Sequence, residues 1–303
     1  MLQYPVSSGW RLLETRPPRG LLRRIESYLR DREPYCVAAA ARFLQRDGRD
    51  RIWWWESRSA GQRWVSALLI LSKGTLFPIL PEASPAESGF FRDFPVQPST
   101  PLYAIQGLSQ DVSLVESLFA AQGLSDFLHL DYDLMALDAE AVELAPPFPN
   151  LRLRYAEARD LAELLPLQAA YEREEVIPEG GGFDPARCLL SLEHIMRRER
   201  LLLAQGPSQI IGKINTNAAS FSRYQIGGVY VRPEYRARGI ASFMAAAFTR
   251  DLRRLGRGLT LFVKQCNPAA QAVYRRIGFQ IIAAYRISYP RHLPWRRIGR
   301  AKG

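Results

Sequence analysis

Cysteine and histidine are scarce in this sequence of 303 residues, which contains three of each. The cysteines, Cys36, Cys188 and Cys266, are far apart and odd in number, which suits reduced thiols in a cytoplasm rather than a disulfide framework. The histidines stand at no metal-ligand spacing from cysteines or carboxylates. We therefore expect neither a secreted, disulfide-stabilised protein nor a metal site.

Long hydrophobic runs are also missing. The longest aliphatic run is Ala67 to Leu71, whereas a membrane-spanning helix needs about 20 apolar residues. The first 30 residues contain no apolar segment followed by a cleavage site. Hydrophobic residues still make up 47% of the chain, enough for the cores of two domains of ordinary size. We expect a globular, cytoplasmic protein without a membrane partner.

Positive charge is abundant but unevenly distributed. Residues 1–150 contain 15 Lys and Arg against 18 Asp and Glu, whereas residues 151–303 contain 26 against 12. A basic half is typical of proteins that bind nucleic acid and of proteins that bind an anionic small molecule. The charge alone does not distinguish these two classes.

In the first half, the strand predicted over Arg51–Glu56 contains three consecutive tryptophans, Trp53, Trp54 and Trp55. Because successive strand residues point to opposite faces, at most two of the rings share a side. Burial is therefore favoured over a platform that stacks nucleic-acid bases. The segment Glu82–Pro101, rich in Pro, Ser and Phe, is predicted to be a long loop or lid.

The sequence Ala-Pro-Pro-Phe-Pro-Asn at Ala145–Asn150 is the best candidate for a domain boundary. It divides the chain into domains 1–148 and 149–303. Strand patterns alternate with helix patterns in both halves, so the predicted fold class is α/β with a mixed (α+β), mostly antiparallel sheet flanked by helices in each domain.

Two helix signals stand out in the second half. A helix is predicted from Asp160 to about Glu174, kinked at Pro166. A second helix should begin through Asp184 as the N-cap and Pro185 as the first helical residue.

The most informative stretch is Gln225–Ala241, an apolar strand that runs into a basic, glycine-containing turn and then a helix. A helix start presents unpaired N–H groups, and the helix dipole and nearby guanidinium groups also favour an anion. The Arg-Ala-Arg-Gly sequence at Arg236–Gly239 therefore predicts a phosphate site. An ordinary strand-loop-helix connection with solvated arginines is the alternative.

A second motif follows on a short helix, where Asn267 and Tyr274 are seven residues apart and share one face. The pattern from Val229 to Ala241, followed by Asn-Pro-x-Ala-x-x-x-Tyr-x-x-x-Gly-Phe from Asn267 to Phe279, resembles the acetyl-CoA site of the GNAT superfamily of N-acetyltransferases. The resemblance covers essentially all of residues 151–303. It implies a GNAT-like domain that uses acetyl-CoA.

The resemblance implies a role for each matching residue. Backbone groups of Val229, Tyr230 and Val231 would pair with the pantetheine arm. The loop and first helical turn would hold the pyrophosphate through Arg236, Ala237, Arg238, Gly239, Ile240 and Ala241. Ala237 and Ala241 stand where the superfamily often has glycine, a mild departure. Asn267 would contact the cofactor arm, although a plain helix cap explains it equally well.

Chemistry requires an acid and a base, because the amine must lose a proton and the CoA thiolate leaves better when protonated. Tyr274 is the predicted acid, with simple packing as the alternative. Glu175 is the first candidate for the base, although Glu172 and Glu174 also stand at this acidic helix end, which solvation alone could explain.

The acceptor is expected to be a small-molecule or peptide amine held by Glu172, Glu175, Asn215 and Asn217. Asn215 and Asn217 share one face of a strand, and polar residues at a sheet edge explain them nearly as well. A bulge at Gly227–Gly228 is suited to present an N–H to the developing oxyanion.

The first half, notably Leu128–Met135, resembles the N-terminal half of certain bacterial two-domain GNAT proteins and looks like a degenerate copy of the fold. The connection Gly107–Asp111, placed where a phosphate grip would lie, has no basic residue, so we expect no CoA there. The predicted function is acetyl-CoA-dependent N-acetylation by direct transfer to a primary amine. A non-catalytic acyl-CoA sensor is the alternative, and nucleic-acid binding is the least favoured one.

Overall fold

The computed structural model describes residues 9–46, 48–59, 61–81, 93–97, 99–140 and 142–291. Most of the predicted loop or lid at Glu82–Pro101 lies outside these residues. Internal contacts divide the chain into a first unit, Met1–Tyr132 with Ala284–Gly303, and a second unit, Asp133–Ala283. These units follow contacts rather than composition, so their limits do not coincide with the division at 148/149, which stays a prediction.

The first unit is built from the following elements in its described residues: β1 (Trp10–Leu12), α1 (Arg19–Asp31), α2 (Glu33–Gln45), β2 (Arg51–Ser59), β3 (Gln62–Ser72), β4 (Thr75–Ile79), β5 (Ala104–Leu108), α3 (Ser109–Ala120) and β6 (Phe127–Leu137), the last of which passes into the second unit. Strands β1 to β4 pair antiparallel in sequence order, and β4 then pairs parallel with β5. The last strand of the chain, β12 (Gln280–Pro290), lies antiparallel to β5 on its other side.

The tryptophan run of β2 is buried on both faces of its strand, as predicted. Trp53, Trp54 and Trp55 are 8%, 4% and 1% exposed. The ring of Trp10 contacts that of Trp55 edge-on at 5.7 Å between centroids. With all three rings in the interior, none of them offers a surface on which a base could stack.

The second unit contains the end of β6 and, in order, β7 (Arg152–Tyr155), α4 (Leu161–Tyr171), a π turn (Glu172–Val176), α5 (Pro185–Arg198), β8 (Leu201–Gln205), β9 (Ile210–Ala219), β10 (Arg223–Val231), α6 (Ile240–Arg253), β11 (Gly258–Lys264), α7 (Pro268–Arg276) and the start of β12. Its strand order is β6-β11-β10-β9-β8-β7. The β7-β8, β8-β9 and β9-β10 pairs are antiparallel, and the β10-β11 pair is parallel. The predicted α/β fold with a mixed, mostly antiparallel sheet is confirmed.

Local signals explain two of the helices. The side chain of Asp184 accepts hydrogen bonds from the N–H groups of Ala186 and Arg187, which confirms it as the N-cap of α5. Helix α4 runs through Pro166 and ends at Tyr171, after which the chain forms the π turn instead of the α-helix predicted to about Glu174.

The two units share an arrangement of three strands. This shared arrangement corrects our prediction about the connection Gly107–Asp111. In the second unit, β9 is antiparallel to β10 and β10 is parallel to β11; β3, β4 and β5 repeat this arrangement in the first. The counterpart of the loop after β10 is therefore the segment between β4 and β5, half of which lies outside the described residues. Our placement at Gly107–Asp111 was wrong, because that connection follows β5 and corresponds to the one between β11 and α7.

The first unit nevertheless closes the corresponding gap between its parallel strands. A Cβ built on Gly107 of β5 would lie 3.1 Å from the carbonyl oxygen of Pro78 in β4, so the two backbones are close. The N–H of Leu80, just after β4, donates to Asp111 Oδ2 at 3.2 Å. At least one backbone group that could face a ligand, the N–H of Leu80, is thus used internally.

No helix among the described residues combines the length and the apolar character needed to cross a membrane.

Candidate active site

The early end of the pairing between the parallel strands β10 and β11 indicates a cleft between them. Their register pairs Arg223 with Gly258, Tyr224 with Leu259 and Gln225 with Thr260. Both strands continue, β10 to Val231 and β11 to Lys264, but no further register joins them in the described residues. Diverging strands leave backbone N–H and C=O groups that need partners, and an extended ligand can supply them.

On its other edge, β10 carries the predicted bulge. Gly227 is opposite Asn215 and Tyr230 is opposite Lys213, so the register shifts across Gly228 and the residue after it. Gly228 has a φ of +60°, and a Cβ there would lie 1.9 Å from Asn215 Oδ1. Glycine is thus required by both conformation and space.

The loop after β10 has an unusual backbone. Ala237 has a φ of +60° and Gly239, the N-cap of α6, a φ of +78°. A left-handed conformation costs a non-glycine residue about 1–2 kcal/mol, so the strain at Ala237 calls for a reason. Such turns make backbone nests that bind anions, and here the nest leads into the first turn of α6.

The two arginines of this loop have different environments. Arg236 donates from Nε to the carbonyl of Val231 at 3.0 Å and from Nη2 to Glu174 at 2.7 Å. Arg238 is exposed, with its guanidinium 5.6 Å from the ring centre of Tyr235. Both side chains are exposed, but the guanidinium of Arg236 is already paired with a carboxylate, whereas the phosphate prediction assumed that both guanidinium groups were available.

Asn267 caps α7 by accepting a 3.0 Å hydrogen bond from the N–H of Ala270. The helix cap that we considered as the alternative role of Asn267 is therefore present. The contact of Asn267 with the cofactor arm stays a prediction.

Tyr274 is a buried residue of α7 whose ring contacts Phe279 edge-on at 6.0 Å. Burial raises the pKa of Tyr274 well above its usual value, and the nearby Tyr171 and Glu175 raise it further. Its hydroxyl is therefore protonated at neutral pH, as a proton donor must be. Packing and acid catalysis are compatible here, because the ring does the first and the hydroxyl can do the second.

The three glutamates of the π turn point to three different partners. Glu172 accepts a 2.8 Å hydrogen bond from Gln168 Nε2, Glu174 binds Arg236, and Glu175 Oε2 lies 3.0 Å from Lys264 Nζ at the end of β11. π turns are rare and often occur at functional sites. Each of the three is thus paired with a specific partner, while Glu174 and Glu175 also keep 40% and 37% of their side chains exposed, so the alternative of a solvated helix end stays open for them.

Glu174 has the tightest set of contacts. Besides Arg236, it accepts a 2.7 Å hydrogen bond from the hydroxyl of Tyr230 on β10. Burial opposes ionisation, but the bonds from Tyr230 and Arg236 prevail and hold the pKa of Glu174 below its usual value. Glu174 thus joins the π turn to β10 and to the loop after it.

The side chains of Asn215 and Asn217 both lie against the bulge of β10. Asn215 is 0% exposed and its amide bonds Lys213, the carbonyl of Thr216 and the side chain of Asn217. A Cβ on Gly227 would lie 2.0 Å from Asn217 Nδ2, so this side chain covers the strand directly. Asn217 is exposed, so we still propose that it contacts the acceptor. The contacts of Asn215 indicate a structural role.

Lys213, which belongs to none of the sequence motifs, is completely buried in this region. Burial lowers its pKa to about 7, against the opposing effects of Glu172 and Cys188. One feature of the sequence could have indicated that Lys213 belongs to this region: it alternates with Asn215 and Asn217, so the three side chains lie on the same face of β9.

A cavity of about 580 Å³ lies away from this cleft, lined by residues 142–146, part of β7 and Phe243, Ala247 and Arg250 of α6. None of the predicted site residues lines it. Within the part of the chain that the structure describes, no group of three or more His, Cys, Asp and Glu side chains is arranged to hold a metal ion.

Comparisons with known proteins agree with this geometry. The FR47-like protein family matches residues 209–287, a range that includes both sequence motifs. No curated protein matches the chain.

Three solved structures share the fold over most of both chains. A Drosophila protein is 16% identical, with a TM-score of 0.57 over 89% of this chain and 88% of its own. A GCN5-related N-acetyltransferase from Sphaerobacter thermophilus is 16% identical, with a TM-score of 0.55 over 92% and 94%. A GNAT-family acetyltransferase from Colwellia psychrerythraea is 12% identical, with a TM-score of 0.53 over 92% and 98%. The chain shares its fold with these structures, two of which are GNAT acetyltransferases, and the FR47-like match covers the part of the sequence in which the two motifs lie.

Proposed function

We propose that this protein is an acetyl-CoA-dependent N-acetyltransferase that transfers the acetyl group directly to a primary amine. The observation that carries the proposal is the cleft between β10 and β11, which has a bulge on one side and leads into a left-handed turn at the start of α6. An extended thioester with a pyrophosphate at one end fits such a site. The FR47-like match and the GNAT fold support the same activity.

The residues present fit acetyl-CoA with one adjustment. Backbone groups of Val229–Val231 would pair with the pantetheine arm, and Asn267 would lie beside it. Ala237, Gly239, Ile240 and Ala241 would hold the pyrophosphate through their N–H groups, with Arg238 adding charge. Arg236, already bonded to Glu174, would reach the phosphate only by giving up part of that bond.

The chemistry needs one bond formed and one broken. The amine nitrogen attacks the thioester carbonyl, the C–N bond forms and the C–S bond breaks. Tyr274 gives its proton to the departing sulfur, and Glu175, directly or through a water molecule, accepts the proton that the amine loses. Because Glu175 is paired with Lys264, we favour the route through water.

The acceptor is expected to be cationic before it reacts, because Glu172 and Glu175 face this region; a small metabolite amine and a peptide amine both satisfy this. All three cysteines are free, which is consistent with a reducing compartment, and we propose the cytoplasm.

The test is to follow the release of free CoA thiol from acetyl-CoA with the full-length protein and a panel of small amines and peptides. Amine-dependent release supports the proposal. Tight binding of acetyl-CoA without turnover in both the wild type and Tyr274→Phe would instead favour an acyl-CoA sensor. Binding of RNA or DNA at low salt, where counterion release favours it most, would revive the nucleic-acid alternative.

A further inference from the structure

A fully buried lysine side chain is held beside the bulge of β10. Lys213 Nζ donates hydrogen bonds to the carbonyl oxygen of Gly228 at 3.0 Å and to Asn215 Oδ1 at 3.2 Å. It also lies 4.5 Å from the centre of the Tyr171 ring. An ionisable group buried in this way is expensive, and its retention calls for a specific use.

The groups that face Lys213 come from each element packed around it. Tyr171 belongs to α4, Glu172 to the π turn, Cys188 to α5, Asn215 to β9 and Gly228 to β10. Glu172 is the carboxyl group among them, and it acts on Lys213 in the direction opposite to burial. Burial and the nearby Glu172 raise the pKa of the Cys188 thiol to about 11, and burial raises that of Tyr171 to about 12, so both stay neutral.

Both backbone groups of Gly228 are satisfied by these side chains. Its carbonyl accepts from Lys213, and its N–H forms a hydrogen bond with the hydroxyl of Tyr171. A bulge residue loses its partners in the strand ladder, and a buried backbone group needs a replacement. Lys213 and Tyr171 thus fix the peptide groups on either side of Gly228, and with them the direction of the next N–H along β10.

We infer that Lys213 is a positioning residue, which holds the bulge of β10 in the one conformation that presents its backbone to the thioester carbonyl. The inference rests on the proposed function, because it is the acetyl group in the cleft that the bulge would meet. A group held out of place by 1 Å can cost about 10²-fold in rate, so a side chain that never touches the substrate can still control turnover.

The experiment compares the wild type with Lys213→Met, which has a similar length but no hydrogen-bond donor, and with Lys213→Arg, which keeps the donors. We expect kcat to fall by about 10–10²-fold in Lys213→Met, with the Kd for acetyl-CoA changed less than about threefold, since the loop before α6 supplies most of the affinity. Partial recovery is expected in Lys213→Arg. An unchanged kcat in folded Lys213→Met would overturn the inference.

A second measurement covers the case in which the variants do not fold. The sequence has four lysines, Lys73, Lys213, Lys264 and Lys302, so selective ¹³C labelling at Cε gives four signals in the wild type. We expect the Lys213 signal to titrate near pH 7 and to shift when acetyl-CoA saturates the protein, while the signal of Lys73, in the first unit, stays in place. A Lys213 signal that does not move at saturation contradicts the inference.

The two proposals fail in different ways. If calorimetry shows no binding of acetyl-CoA to the wild type, the proposed function is wrong. If acetyl-CoA binds and turns over, but neither kcat in Lys213→Met nor the Lys213 signal responds, only the positioning role is wrong.

Discussion

Arg236 Nη2 donates a 2.7 Å hydrogen bond to Glu174 Oε2, and this ion pair links the loop before α6 to the π turn after α4. The loop is the proposed phosphate site and the π turn is the proposed acceptor side. One ion pair therefore connects the two halves of the reaction. Because the pair is partly exposed, it adds little to the stability of the folded protein. It can still have a large effect on the direction in which the guanidinium of Arg236 points.

The first prediction concerns this pair. Glu174→Gln removes the carboxylate that competes with a phosphate for Arg236, so the Kd for acetyl-CoA should decrease by about 2–5-fold, a modest effect because the pair is screened by solvent. Isothermal titration calorimetry measures it. Glu234→Gln, which removes an exposed charge from the same loop, is the matched control and should have a smaller effect. A weaker affinity in Glu174→Gln would mean that the ion pair prepares the loop rather than competing for it.

The second prediction concerns Gly239. Space does not limit this position, since a Cβ would meet only Pro147 at 3.8 Å, but its φ of +78° does. Gly239→Ala should weaken acetyl-CoA binding moderately through a conformational cost of about 1–2 kcal/mol. Gly239→Asp adds a negative charge at the phosphate site and should abolish binding. Equal affinities of the two variants would show that charge at this position does not matter.

The third prediction concerns the proton donor. Tyr274→Phe keeps the edge contact with Phe279 and removes only the hydroxyl, so acetyl-CoA affinity should be nearly unchanged while kcat falls by about 10²-fold. Tyr224→Phe, on the same strand as the bulge but at its far end, serves as the control. If Tyr274→Phe turns over like the wild type, water or the substrate protonates the leaving sulfur.

The fourth prediction concerns pH and stability. The pKa of Lys213 is lowered to about 7 in the folded protein against about 10.4 when unfolded, so between these values the unfolded state binds more protons and stability rises with pH. Asp111 is the opposite case: burial raises its pKa to about 7 against about 3.9 when unfolded, so stability falls as pH rises from about 4 to 7.

Thermal unfolding followed from pH 4 to 10 measures both slopes. Lys213→Met should flatten the rise above pH 7, and Asp111→Asn, which can still accept from the N–H of Leu80, should flatten the fall below it. A slope that survives its own substitution would assign that proton uptake or release to another group.

Much of the second unit could be predicted from the sequence because its determinants are local. Asp184 and Pro185 begin α5, the glycines at 227 and 228 permit the bulge, and the spacing of Asn267 and Tyr274 follows from helix geometry. These features depend on neighbours within a few residues, where patterns are informative.

The features that could not be predicted from the sequence depend on residues that are far apart in the chain. Lys213 is an ordinary surface residue by type, and only the bulge 15 positions away makes its burial tolerable. The pairing of Arg236 with Glu174 joins residues 62 positions apart, and so a motif containing Arg236 suggested a free guanidinium. The counterpart of the phosphate loop was misplaced at Gly107–Asp111 because strand pairing, not spacing, identifies equivalent connections.

The most direct test of the central claim is the calorimetric titration of acetyl-CoA into the full-length protein and into Gly239→Asp. We predict one saturable site per chain in the wild type, because the backbones of β4 and β5 are close at Gly107 and Pro78, and no binding in the variant. Two sites per chain, or an unchanged affinity in Gly239→Asp, would contradict it.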